Sequence, residues 1–87
     1  MTEPAYYQFG DVEVLDISQH LTGNAAQVVQ YVCRSSRLDG NTKGEDVADL
    51  HKARDFLDRE ILRRELLDQE AAAEAAARIL DQPMRRL

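Results

Sequence analysis

The segment from Glu45 to Gln82 contains neither proline nor glycine, and Pro83 follows directly after it. Thr42 and Glu45 have the spacing of a capping box, in which a Ser or Thr and a Glu three residues later satisfy free N–H groups at a helix start. These signals predict one helix of roughly 38 residues, roughly 55 Å long. Such a helix is longer than an 87-residue globule can cover by itself.

The apolar face of this long helix changes partway along. A first stripe comprises Val47, Leu50, Ala53, Leu57 and Ile61, and it stops where the same line meets Arg64 and Asp68. A second stripe comprises Leu62, Leu66, Gln69, Ala73, Ala76 and Leu80. Its spacing alternates between four and three residues, the heptad pattern of a coiled coil. We expect the first stripe to pack on two shorter helices of the same chain and the second to form an oligomer interface.

The alternative for the second half of this helix is a solvated helix without a partner. Its alanines favour helix intrinsically, and oppositely charged pairs four residues apart would add support. These pairs are Asp55–Arg59, Glu60–Arg64 and Glu74–Arg78. A partner is favoured because Leu62, Leu66 and Leu80 would otherwise face water.

The N-terminal half predicts an extended arm followed by two short helices. Residues 1–10 show no clear period, and a first helix capped by Asp11 should end near Leu21, before a breaker at residues 22–24. A second helix then runs to about Arg37. Its run Val28 to Val32 is rich in strand formers, but apolar positions three and four apart on both sides favour helix. A loop at residues 38–44 leads to the long helix.

The predicted fold is therefore all-α, with two short helices packed on the first half of one long C-terminal helix. We divide the chain into an arm (1–10), a helical domain (11–61) and a C-terminal oligomerisation segment (62–87). Cys33 is the only cysteine, so no intrachain disulfide can add stability, and its thiol should pack as a small hydrophobe. A second chain is the remaining source of stability for so small a core.

Targeting signals and net charge bear on where the protein is located and what it binds. No signal peptide is evident and no apolar run reaches membrane-spanning length, so we expect a cytoplasmic protein without a membrane partner. The net charge of -5 argues against direct DNA or RNA binding.

One group of basic and polar side chains could converge on a ligand at the loop between the second and third helices. Arginine binds phosphate through two hydrogen bonds, and a tyrosine from the arm could stack on a base. The candidate ligand-binding residues are Tyr7, Asn24, Arg34, Arg37, Lys43, Lys52 and Arg59. The alternative is that these cations only complement a helix C-terminus and solvate the surface.

A second group is acidic. Glu13 and Asp16 are three residues apart on the first helix, as are Asp46 and Asp49 at the start of the third. If the two pairs faced each other, their carboxylates could hold Mg²⁺; otherwise no cofactor is expected. The alternative is the routine placement of acids in the first turn of a helix.

The segment 7–61 resembles the SaV-like bacteriophage family, a domain of unknown function. The resemblance rests on the order and spacing of several short motifs. They are the aromatic arm, the acidic helix at 12–16, Gly23-Asn24-Ala25, Tyr31-x-x-Arg34-x-x-Arg37, the run Glu45 to Ala53 and Leu57-x-Arg59-Glu60. The resemblance implies a phage-encoded accessory protein in the bacterial host cytoplasm. It also implies nucleotide binding, since some members are labelled nucleotide kinases.

Three functional hypotheses follow. The first is a phage protein that binds a nucleotide or another phosphorylated ligand, with kinase activity implied by the resemblance alone. The second is a non-enzymatic helical protein that assembles with itself or docks on a host protein. The third is a Mg²⁺-dependent nucleotide hydrolase that uses Glu13, Asp16, Asp46 and Asp49. We expect a non-enzymatic role and place the first hypothesis narrowly ahead of the second.

Overall fold

The computed structural model describes residues 4–81 and confirms the all-α class. A 3₁₀ turn (Ala5–Tyr7) leads into two short strands, β1 (Gln8–Phe9) and β2 (Val12–Glu13). Three helices follow. They are α1 (Val14–Ser18), α2 (Gly23–Ser35) and α3 (Asp46–Asp81).

The N-terminal segment is a small hairpin rather than an extended arm. Strands β1 and β2 are antiparallel, with Phe9 opposite Val12. The reversal uses Gly10, whose φ of 61° lies in the left-handed region that glycine adopts without strain. The hairpin delays the N-cap of α1 by two residues, from the predicted Asp11 to Glu13. Two-residue strands are too short to show an alternating pattern, so the sequence contains no signal for them.

Helix α2 confirms the choice of helix over strand for its valine-rich run, although it ends at Ser35 rather than at about Arg37. Helix α3 begins at Asp46, later than the capping-box pattern predicted, because Gly44 has a φ of 98° that no helix accommodates. The carbonyl of Glu45 accepts the first hydrogen bond, from the N–H of Asp49. The predicted stop at Pro83 lies outside the described residues.

Helix α2 packs along the first half of α3 in the opposite direction, while α1 and the 3₁₀ turn pack against α2. The opposite directions are evident from the side-chain contacts, since Arg34 meets Asp49 near the start of α3 and Thr22 meets Glu60 farther along. Between them the rings of Tyr31 and Phe56 stack, with centroids 5.8 Å apart. Beyond the Thr22 contact, α3 continues to Asp81 without a neighbouring helix among residues 4–81.

The expected packing of the first stripe on the shorter helices is wrong. Only Ala53 of that stripe is buried, whereas Val47 is 68% exposed and Leu50 is 43% exposed. Leu57 and Ile61 are also largely exposed. The face that meets α2 is instead formed by Asp49, Ala53, Phe56 and Glu60. Helix α3 is rotated so that the charged Asp49, together with Ala53 at the edge of the first stripe, faces α2.

The interior is small and the molecule is long. Among residues 4–81, Val14 and Ala53 are the hydrophobic residues that are fully buried. The molecule measures 69 × 26 × 20 Å, and its radius of gyration is 20.4 Å, against about 12 Å for a compact domain of this length. Its accessible surface is 7008 Å², against about 5200 Å² for a compact monomer of its mass. Across residues 4–81, none of the helices combines the length and apolar character needed to cross a bilayer.

Candidate functional site

The best-formed polar contact in the molecule joins Arg34 of α2 to Asp49 of α3. The guanidinium donates from Nε to Oδ2 of Asp49 at 2.8 Å and from Nη2 to Oδ1 at 2.7 Å. Asp49 is fully buried, and Arg34 is 8% exposed. Such a two-bond pair fixes both the distance and the relative rotation of the two helices.

The remaining contacts of Arg34 are also internal. Its Nη1 donates to the hydroxyl oxygen of Tyr7 at 3.0 Å, and its guanidinium lies 4.6 Å from the centroid of the Tyr31 ring. The hydrogen bonds from Arg34 hold the pKa of Asp49 below its usual range although burial opposes this. The same contacts raise the pKa of Arg34. The sequence grouped Tyr7 with Arg34 correctly, but the structure shows Arg34 bound to protein groups on every side.

Arg37 is likewise engaged within the chain. Its guanidinium lies 4.0 Å from the centroid of the Phe9 ring. It donates to both oxygens of Asp39, at 3.0 and 2.8 Å, and to the carbonyl of Ala5 at 3.0 Å. The hydrogen bonds from Arg37 and from the N–H of Asn41 lower the pKa of Asp39 to about 2. Arg37 therefore ties the N-terminal segment to the loop after α2.

The other predicted ligand-binding residues are spread along α3 and its neighbours. Lys52 has its Nζ 5.6 Å from the centroid of the Tyr31 ring, and the charges of Lys52 and Lys43 both help to lower the pKa of Asp49. Arg59 is exposed beside the Phe56 ring, 5.3 Å from its centroid. Asn24 lies farther along, near enough to Glu60 to help lower the pKa of that carboxyl. The structure thus brings Tyr7, Arg34, Lys43 and Lys52 together around Asp49 and Tyr31, and it leaves Asn24 and Arg59 outside that group.

Glu60 is a second polar contact point, which the sequence placed in a pair with Arg64 but not among the candidate site residues. Arg63 donates to it from Nε at 2.7 Å and from Nη2 at 3.0 Å, and the hydroxyl of Thr22 donates as well. Together with Asn24, these donors lower the pKa of Glu60 to about 2. The predicted partner of Glu60 was Arg64, but Arg63 lies on the α2-facing side of α3 and forms the pair. The predicted pair of Glu74 with Arg78 is present at 3.8 Å.

The two acidic pairs do not meet. Asp16 accepts a hydrogen bond from the backbone N–H of Glu13 at 2.8 Å, so this pair caps α1. Asp49 is bound to Arg34, while Asp46 is half-buried at the start of α3. Within the part of the chain that the structure describes, no group of three or more His, Cys, Asp or Glu side chains is placed to hold a metal ion.

Cys33 lies against an open, apolar groove of about 240 Å³ between the hairpin, α1 and α2. Phe9, Val14, Ile17 and Val29 line the same groove. The thiol is half-buried, and burial raises its pKa above the ordinary value. This environment fits the predicted packing role, because a raised pKa leaves little reactive thiolate.

The second stripe of α3 is exposed along its whole length, and we call it the seam. It comprises Leu62, Leu66, Gln69, Ala73, Ala76 and Leu80. Leu62 is 56% exposed, Leu66 is 49% exposed and Leu80 is 83% exposed. At 100° per residue the seam lies in a charge-free sector about 140° wide, bounded by Glu65 on one side and Glu70 on the other. The seam therefore provides an apolar surface on the part of α3 that has no neighbouring helix within residues 4–81.

Comparisons with family models, with curated proteins and with solved structures found no match to this chain. The resemblance to the SaV-like family, together with the phage origin that it implies, stays a prediction.

Replacing Asp49 with alanine would leave the buried guanidinium of Arg34 without its counter-charge. We expect Asp49→Ala to lower the free energy of unfolding by about 3–5 kcal/mol. Urea denaturation followed by circular dichroism at fixed protein concentration measures this. The double variant Arg34→Met/Asp49→Leu keeps the volume without a buried charge and should recover most of the loss. A double variant as unstable as Asp49→Ala would contradict the assignment of the cost to the unpaired charge.

The contacts of Glu60 predict an acid-sensitive contribution to stability. Its pKa is about 2 in the folded chain and 4.5 ordinarily. Because folding lowers the pKa, the contribution is complete above pH 4.5 and is lost as the pH falls toward 2. We expect the free energy of unfolding to fall less steeply in this range for Glu60→Gln than for the wild type. Glu65→Gln, on the exposed side of α3, is the control. Identical acid profiles for wild type and Glu60→Gln would show that these contacts do not form in solution.

Proposed function

We propose that the protein is a non-enzymatic helical module whose activity is to assemble with a second copy of itself through the second half of α3. The observation that carries this proposal is the exposure of the seam on a helix that extends past the rest of the fold. In water, three exposed leucines in one charge-free sector favour association, because pairing removes their apolar surface from solvent.

The surface area of the chain supports the same conclusion. The chain exposes 7008 Å², which is roughly 1800 Å² more than a compact monomer of its mass. A standard protein interface buries about 800 Å² on each partner. The excess surface is thus large enough for one such interface. With only Val14 and Ala53 fully buried among the hydrophobic residues of 4–81, the chain also has much to gain in stability from a partner.

The engagement of the two arginines favours assembly over ligand binding. Arg34 would have to leave the buried carboxylate of Asp49 to bind a phosphate, and that carboxylate would then lose its partner. Arg37 would have to leave Asp39 and the carbonyl of Ala5. A phosphate would therefore have to compete with contacts that hold the fold together.

A charge placed in the seam should prevent assembly. For Leu66→Glu we expect the dissociation constant to rise by about 100-fold or more, because a carboxylate would be taken out of water without a partner. Light scattering coupled to gel filtration over a concentration series measures this. Ala71→Glu adds the same charge on the opposite side of α3 and should leave the association unchanged. A wild-type chain with a mass of 9.9 kDa throughout the series would contradict the proposed function.

A second candidate function is the binding of a small phosphorylated anion between Lys43 and Lys52. Both lysines are exposed, and their charges act on Asp49, which already pairs with Arg34.

Calorimetric titration with a nucleoside monophosphate and with inorganic pyrophosphate tests this second candidate. Saturable binding should be lost in the double variant Lys43→Ala/Lys52→Ala and kept in Arg64→Ala, which removes a charge elsewhere on α3. No heat of binding in the wild type, at concentrations where the chain is folded, would exclude this candidate.

A further inference from the structure

The seam can pair with a second copy only along part of α3. Leu62 is its first residue, and the line that it follows leads back to Arg59 and Asp55. These two charged residues are unsuitable for the interior of a helix pair. The contact therefore runs from about Leu62 to Leu80, which is about 27 Å along the helix axis.

A parallel arrangement of two copies would match each seam residue with its own counterpart. Ala73 and Ala76 would then form small layers between the large layers of Leu66 and Leu80, so the helices could not keep one separation. Glu65 of each copy would also face Glu70 of the other, which is unfavourable.

An antiparallel arrangement matches large residues with small ones at the centre of the seam. Leu66 faces Ala76 of the second copy, and Gln69 faces Ala73. The alternating spacing of four and three residues is the same from either end of the seam. Each of the six seam residues therefore faces a seam residue of the second copy. At the two ends, Leu62 faces Leu80. The four central layers are then of similar size, and Gln69 is a polar residue that can fix the register.

The charges also differ between the two arrangements. The antiparallel pair brings Glu70 against Glu70 of the second copy once, at the twofold axis, whereas the parallel pair makes two contacts between Glu65 and Glu70. Arg59 and Asp55 would lie next to their own counterparts in a parallel pair. Those like-charge contacts are absent when the helices run in opposite directions. The opposed helix dipoles add a small favourable contribution.

We propose that two copies of the chain pair antiparallel through the seam, with Gln69 of one copy opposite Ala73 of the other. This inference rests on the proposed function and adds the identity of the partner surface and its direction. The residues 4–61 of the two copies then lie at opposite ends of a rod whose centre is the paired part of α3.

Cross-linking of single-cysteine chains tests the direction. In a Cys33→Ser background, which removes the native thiol, one chain carries Gln69→Cys and another carries Ala73→Cys. Each chain is first oxidised alone. The two chains are also reduced, mixed, left to exchange partners and then oxidised together. The disulfide-linked products of all samples are identified by mass spectrometry. We expect the mixture to yield at least about ten times more disulfide-linked dimer than either chain alone, because facing thiols have a high effective concentration. Light scattering shows beforehand that each variant associates as the wild type does.

The outcomes separate the inference from the proposed function. Efficient cross-linking of each chain with itself would mean a parallel pair, which overturns the direction but leaves self-assembly standing. A dimer by light scattering with no cross-link in any sample would overturn the seam register and also leave self-assembly standing. A wild-type chain that stays monomeric would overturn both. Ala71→Cys, on the opposite side of α3, reports the yield of random collisions.

Discussion

The rotation of α3 against α2 depends on the salt bridge between Arg34 and Asp49. A buried carboxylate needs a partner, and the two-bond geometry with Arg34 allows only a narrow range of helix rotations. A buried ion pair adds little net stability compared with apolar packing, but its loss is costly. The pair therefore specifies the arrangement more than it stabilises it. Because Asp49 faces α2, the stripe with Val47 and Leu50 is turned toward solvent.

This rotation places a buried ion pair between α2 and α3 and leaves apolar side chains such as Val47 and Leu50 exposed. Stacking of Tyr31 on Phe56 and the contacts of Glu60 complete the α2–α3 interface. Past those contacts, α3 has to hold its helical form through alanine propensity and through pairs such as Glu74 with Arg78. In proteins, most of the stability of a helix comes from packing of its apolar face rather than from intrinsic propensity. Pairing with a second copy would therefore stabilise the helix as well as cover its leucines.

The sequence predicted the number of helices and the approximate place of each, because proline, glycine and apolar spacing are local signals. It did not predict which face of α3 would pack. Periodicity ranks faces by apolar content, and here a charged residue lies at the contact. The same limitation affected the candidate sites, since the sequence grouped Arg34 with other cations and Asp49 with other acids. In the fold, Arg34 and Asp49 pair with each other. This contact joins residues of two different helices, so their spacing in the chain does not reveal it.

The direction of assembly constrains any ligand site as well. Lys52 lies 19 positions before the centre of the seam near Ala71, which corresponds to about 28 Å along α3. In an antiparallel pair, the two lysine pairs of the dimer would be about 57 Å apart along the rod. A nucleotide is far too short to contact both. If Lys43 and Lys52 bind an anion, each copy has to do so with its own residues, and assembly would then position two separate sites rather than complete one shared site.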